Sequence, residues 1–151
     1  MVVEVDNTKQ LNLFDTIRNI LQTNKVLAEK FTKSHFYLFE PLPKDNKFSE
    51  YPYIVIQLPE TDTDLVVLDH QTTLKPFIIP IKLVVDFVAT DKVLLFSNAI
   101  LSAIEASEET FETLGYINLK IKIVDSSEEL ADQKNVAAVF FELNFDGRVL
   151  R

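Results

Sequence analysis

The chain has 151 residues, 47% of them hydrophobic and 25% charged, and 23 acids against 15 bases give a net charge of −8. There is no cysteine and there are only two glycines, Gly115 and Gly147. That excludes disulfides, thiolate metal sites, a cysteine nucleophile, the three-glycine dinucleotide fingerprint and the Walker loop. A single domain of this length buries roughly 68–70% of its unfolded surface, so a sizeable core needs no covalent staple, and the composition points to a globular, soluble protein that is not an enzyme.

Residues Met1 to Asp6 carry acid where a secretory signal begins with base, and no apolar run follows. The most apolar stretch, Phe77 to Ala89, is interrupted by Pro80, Lys82 and Asp86 and falls short of the roughly 20 apolar residues of a membrane span. The chain is therefore expected to stay where it is made unless a larger assembly carries it out.

In chain order, Asn7 or Thr8 can cap a first helix, with Gln10 placed as in a capping box. Leu13, Phe14, Ile17, Ile20 and Leu21 recur at helical spacing, predicting a helix from about Thr8 to Thr23. His35 to Phe39 reads as a short strand stopped by Pro41 and Pro43. Tyr53 to Leu58 follows as a strand ended by Pro59, with Ile54, Ile56 and Leu58 on one face and Tyr53, Val55 and Gln57 on the other. Glu60 to Lys75 fits either a long hairpin arm or a flexible loop.

Phe77 to Val88 has period two: Phe77, Ile79, Ile81, Leu83, Val85 and Phe87 face one way, and Ile78, Pro80, Lys82, Val84, Asp86 and Val88 the other. Pro80 predicts an edge, a bulge or late pairing. Thr90 or Asp91 caps a second helix whose stripe is Val93, Phe96, Ala99, Ile100, Ala103 and Ile104, and Gly115 can close that region in a left-handed conformation. Two strands complete the chain. Tyr116 to Val124 has Ile117, Leu119, Ile121 and Ile123 inward; Val136 to Phe145 has Ala137, Val139, Phe141, Leu143 and Phe145 inward. Asp125 to Asn135 between them reads as an acidic loop. The predicted fold is one α+β domain spanning residues 1–151, a mainly antiparallel sheet of about four or more strands with two helices packed on one face and an extended hairpin arm.

Candidate sites are few. Glu60-x-Asp62-x-Asp64 resembles the start of a calcium loop but lacks its glycine and closing glutamate. His35 and His70 cannot alone make a zinc site, and Ser97 and Ser102 have no nucleophile-elbow context. No catalytic, cofactor-binding or metal site is expected. Eight acids against two lysines between Glu105 and Asp132 place six of the eight net negative charges there. Such a field is simply a solvated surface, or one that repels nucleic acid while facing it. Ile78, Val84 and Val88, with Val136, Ala138 and Phe140, make the second strand faces unusually apolar. That calls for a partner chain or for further intramolecular cover.

The run Phe36-Tyr37-Leu38-Phe39-Glu40-Pro41-Leu42-Pro43, then Tyr51-Pro52-Tyr53-Ile54-Val55-Ile56, resembles the tail terminator (tail completion) proteins of long-tailed bacteriophages. So does the order that follows: a long alternating strand Phe77–Val88, a helix opening at Asp91-Lys92-Val93, and the turn Leu114-Gly115-Tyr116. The resemblance runs from about Thr8 to Phe145; the 60–75 and 125–135 segments depart from it. It implies a structural virion protein, without cofactor, whose six copies close into a ring at the tail end nearest the head, after assembly in the host cytoplasm. The ring would cap the tail tube, end its growth, dock the head connector or neck protein and let DNA pass without specific binding. On this reading the subunit or tube interface draws on Leu65, Val66, Val67, Leu68, Ile78, Val84, Val136 and Phe140, since heterologous rings need two different adhesive patches. Glu105, Glu108, Glu109 and Glu112 would line or rim the channel. Competing readings are another head–tail joining or tail tube protein, a cellular α+β interaction module and, least supported, an enzyme.

Overall fold

The computed structural model describes residues 10–38, 52–61, 66–67, 72–86, 90–131 and 134–150. Its helices are α1 (Gln10–Thr23), α2 (Lys25–Ala28), α3 (Thr90–Glu105) and α4 (Glu108–Thr113), and its strands are β1 (Phe36–Tyr37), β2 (Tyr53–Ile56), β3 (Glu60–Thr61), β4 (Val66–Val67), β5 (Thr72–Asp86), β6 (Tyr116–Ala131) and β7 (Lys134–Leu150). The sheet runs β1-β2-β5-β7-β6, with β3 and β4 also paired to β5. All pairings are antiparallel except β1 with β2. The α+β architecture expected from the sequence is present, and α2 and α4 add two short helices to the two foreseen.

The main core lies between one sheet face and the helices. Leu13, Ile17 and Leu21 of α1 and Phe96, Ile100 and Ile104 of α3 are buried against Ile54, Ile56, Phe77, Ile79, Ile81, Leu83, Val85, Val139, Phe141, Leu143 and Phe145. The inward sets predicted for β2, β5 and β7 are thus the core sets, apart from Leu58, the half-buried Ala137 and Phe87, which lies outside the described residues. At one end Phe145 stacks on Phe77 (5.6 Å between ring centroids), meets Tyr116 edge-on (4.7 Å) and touches Phe111 of α4 (6.1 Å), joining β5, β7, β6 and α4. At the other, Phe31 meets Phe96 edge-on at 5.2 Å and Phe36 at 6.0 Å. Asn24 ends α1 and starts α2, its Oδ1 accepting from the amides of Val26 (2.9 Å) and Leu27 (3.2 Å). The expected cap at Asn7 or Thr8 lies outside the described residues.

Some local alternatives are decided and other expectations corrected. Pro80 sits in the central strand, opposite Glu142 of β7. Its carbonyl accepts from the Gln57 amide at 3.0 Å, so its missing N–H faces the same side, where the partner strand breaks between β2 and β3. There Gln57, Leu58 and Pro59 oppose only Ile79 and Pro80. This bulge resets the alternation, leaving Leu58 exposed instead of inward and Glu60 opposite the outward Ile78. Within the 60–75 segment the described residues are strand: β3 and β4 each pair antiparallel with β5, which begins at Thr72. His35 belongs to a 3-10 turn, Lys33–His35, and the strand after it is only Phe36–Tyr37.

The acidic loop expected at Asp125–Asn135 is instead mostly strand, with Asp125–Ala131 pairing against Lys134–Phe140. Two register shifts on β6 hid it, one between Ile117 and Lys120 and one between Ile123 and Asp125. Asn118 takes φ 58° at the first, the left-handed region that Asn tolerates. Tyr116 therefore points inward and is buried, Ile117 is only half-buried, and Leu119 and Ile121 return to the core. Gly115 takes φ 92° after α4, as expected of the one residue there without a Cβ penalty.

Phe145 is the shared contact of three strands and a helix. Phe145→Ala should lower stability by about 3–5 kcal/mol, whereas Leu58→Ser at the exposed bulge should change it by less than about 0.5 kcal/mol. Urea unfolding midpoints at unchanged slope would show both.

Candidate functional site

The second sheet face carries its own small cluster, in which Tyr53, Val55, Val84 and Val136 are buried with Tyr37 packed against them. Tyr37 and Tyr53 meet edge-on at 5.5 Å. Ala138 is buried beside them in the register. Val84 and Val136 are therefore covered within the chain and offer no free surface, which corrects their assignment to a subunit interface. The alternation that exposed them in the sequence reading is real, but the cover comes from the chain itself.

Ile78 and Phe140 are half-buried on the same face, and the Lys82 ammonium lies 5.4 Å from the Phe140 ring centroid, a cation–π placement. Val66 and Val67 form β4, opposite Leu74 and Thr73. Leu65 and Leu68 lie outside the described residues, as do His70, Asp62 and Asp64. Of the eight expected interface residues, Ile78, Val84, Val136 and Phe140 thus share the second sheet face, with Val84 and Val136 buried in it.

The four acids proposed for a channel are brought together. Glu105 ends α3, Glu108, Glu109 and Glu112 lie on α4, and all four are exposed. Phe111 anchors this turn in the core while its neighbours reach solvent. Asp125 and Glu128, also exposed, lie toward the other end of β6. The nine steps of strand from Tyr116 to Asp125 span up to about 30 Å, so the acidic run of the sequence becomes two separate fields.

Between α4 and the first β6 bulge lies an open cleft of about 570 Å³ lined by Phe77, Glu108, Asn118, Lys120, Asn144 and Asp146 among others. Asn118 Nδ2 donates to Asp146 Oδ2 at 2.9 Å, so this carboxylate is used to tie the bulge to β7. A smaller cleft of about 180 Å³ between α2 and α3 is lined by Lys25, Lys30, Lys92, Glu29, Leu95 and Phe96 among others. Sequence reasoning missed it, because Lys92 lies 67 residues from Lys25 and 62 from Lys30.

His35 is half-buried near Phe31, its Nδ1 lying 2.6 Å from the Lys30 carbonyl, a placement that closes the turn before β1. Ser97 is buried with its hydroxyl unpartnered, and Ser102 is exposed. Among the described residues no three His, Asp or Glu side chains gather as a metal site, and no helix is long and apolar enough to cross a membrane.

The geometry defines an α+β sheet domain whose described surface carries separate clusters of charge. No family model matches the chain, and no curated protein does. Among solved structures it shares its fold with a chain from the virion of a native gene transfer agent particle. The TM-score is 0.54 over 89% of this chain and 92% of that chain, at 13% sequence identity.

Burial pushes the Tyr116 phenol up to about 12 from its ordinary 10, and its hydroxyl has no partner. The folded state keeps this proton where the unfolded chain loses it. Stability from this group is therefore full below pH 10 and falls as pH rises from 10 toward 12, by on the order of 2 kcal/mol. Tyr116→Phe should remove that alkaline slope and leave neutral-pH stability unchanged or raised by about 1 kcal/mol; urea titrations at pH 8 and pH 11 measure both.

Proposed function

We propose that this chain is a structural virion protein of the tail terminator kind, acting without catalysis. The observation that carries this reading is the shared fold over nearly the whole of both chains with a component of a virion. The order of motifs from Phe36 to Tyr116 supports the finer assignment, because the strands and helices it demanded have their counterparts in β2, β5, α3 and the Gly115 turn.

In this role copies of the chain close into a ring, six by the resemblance, on the end of the tail tube nearest the head. Closure stops further addition of tube subunits and leaves a fresh face for the head connector. The partners are then other copies, the tube protein and the connector or neck protein, and DNA passes through the centre. Glu105, Glu108, Glu109 and Glu112 rim that channel. Their shared exposure around the α3–α4 turn suits a surface that DNA phosphates slide past without adhering, since adhesion draws on Lys and Arg.

Light scattering over a concentration series, with negative-stain images of the heaviest fraction, should give a closed ring with an open centre that halts growth of purified tail tubes. Unlimited filaments of the pure protein would assign it to the tube instead, and a monomer that neither closes nor stops tube growth would overturn the reading. Within a ring, E105K/E108K/E109K/E112K should leave assembly intact and make the ring retain duplex DNA at low salt. Unchanged DNA retention would remove these four residues from the channel.

A further inference from the structure

Strand β6 is an edge of the sheet: it pairs with β7 and meets no other strand among the described residues. The opposite edge, β1, is only Phe36–Tyr37, whereas β6 runs from Tyr116 to Ala131. A long edge offers its free N–H and C=O groups to another strand unless it is covered or blunted. On this edge Ile123 (44%) and Val124 (48%) are among the few large hydrophobics exposed to solvent. Lys120 and Lys122 precede them and Asp125, Ser126 and Glu128 follow, all exposed. None of these charges forms an ion pair among the described residues, where the single bridge joins Arg18 to Asp15.

The bulge at Val124 sorts these side chains between the two faces, because residues opposed across a ladder point to the same side. Lys120, Lys122, Asp125 and Ser127 stand opposite Asn144, Glu142, Phe140 and Ala138, on the face away from the helices. Ile121, Ile123, Ser126 and Glu128 stand opposite Leu143, Phe141, Val139 and Ala137, on the helix side. In a regular strand Lys122 and Asp125 would lie on opposite faces. The extra residue puts both on one.

We infer that β6 pairs antiparallel with β6 of a second copy about a two-fold axis between Ile123 and Val124. In that register Lys122 meets Asp125 of the second copy, Lys120 meets Ser127, Ile121 meets Ser126 and Ile123 meets Val124. Each contact occurs twice by symmetry, so two lysines and two aspartates alternate in sign around the axis. Charge complementarity selects the occupant: the strand is basic before its bulge and acidic after it, which is its own complement when run antiparallel. A shift of one residue would set side chains of opposite faces against each other. Asp125 Oδ1 accepts from the Ser126 amide at 2.8 Å, which leaves the second carboxylate oxygen for the lysine. Glu128 falls just past the paired residues, toward Leu119 and the exposed Glu108 that lines a cleft with it, a like-charge approach that solvent screens. The contact is isologous, so it closes after two copies and occupies the edge of each. It goes beyond the ring reading and does not rest on it, since rings are built from heterologous contacts.

The test is a charge exchange in the full chain. Circular dichroism melts check that K122E and D125K remain folded. By light scattering, each alone should form the two-copy species at least about tenfold more weakly than the wild type, because two attractive contacts become two repulsive ones. An equimolar mixture should recover it, since each reversed lysine then meets a native lysine and each native aspartate a reversed one's neighbour of opposite sign. The chain has no cysteine, so introduced thiols report the register. Under mild oxidation K122C mixed with D125C should cross-link, and K122C mixed with E128C should not, because residue 128 lies on the other face.

A wild type that stays monomeric to about 1 mM would overturn the pairing and leave the lysines and bulges as protection of a solitary edge. Single variants that associate like the wild type, a mixture that fails to recover, or a 122–128 cross-link as ready as the 122–125 one would overturn it as well. A two-copy species that obeys the exchange while the protein never caps a tube upholds the pairing and removes the terminator role. Capping rings from a wild type that shows no two-copy species do the reverse.

Discussion

Fifteen consecutive residue pairs, from Thr72 opposite Leu150 to Asp86 opposite Val136, hold β5 and β7 in one unbroken register at the centre of the sheet. Side chains alternate along a strand, so this ladder decides which residues meet the helices and which meet the other face. A slip of one residue would carry Phe77, Ile79, Ile81, Leu83 and Val85 away from α1 and α3 and leave both helices with nothing apolar to cover. Irregularity is confined to the flanks. The β2–β3 side absorbs the extra residue opposite Pro80, and β6 absorbs two shifts, at Asn118 and at Val124. A bulge costs less there, because a flanking strand is tied to fewer neighbours than the central pair.

The same frame distributes charge. α4 hangs its carboxylates over one end of the sheet because Phe111 is held by Phe145 beneath it. The β6–β7 pairing carries Asp125 and Glu128 away from α4 along the sheet. Lys25 of α2, Lys30 just after it and Lys92 of α3 line one cleft where Phe31 meets Phe96 across the helix layer. An acidic chain thus distributes its charge unevenly over its described surface instead of as a uniform field.

Legibility in the sequence followed the strength of the local signal. The inward sets of β5 and β7 could be read because strict alternation over many residues has one physical solution, a sheet covered on one face. The exposed glutamates of the α3–α4 turn were visible as a charge run. The buried state of Val84 and Val136 was not, because an apolar second face is written identically whether its cover is a partner or the chain itself. Nor was the hairpin at Asp125, because backbone pairing to β7 stabilises a strand whose side chains show no apolar alternation.

The sequence by itself determined the α+β order of elements, the faces of the central strands, the stripe of α3 and the need for a left-handed residue at Gly115. Each follows from forces acting within a few residues: side-chain alternation, helical periodicity and backbone sterics. Only the tertiary structure decided where the register shifts, which leaves Leu58 exposed and Tyr116 inward, and only it gathered Lys25, Lys30 and Lys92 beside Leu95. Those outcomes depend on pairings and packing between residues distant in the chain.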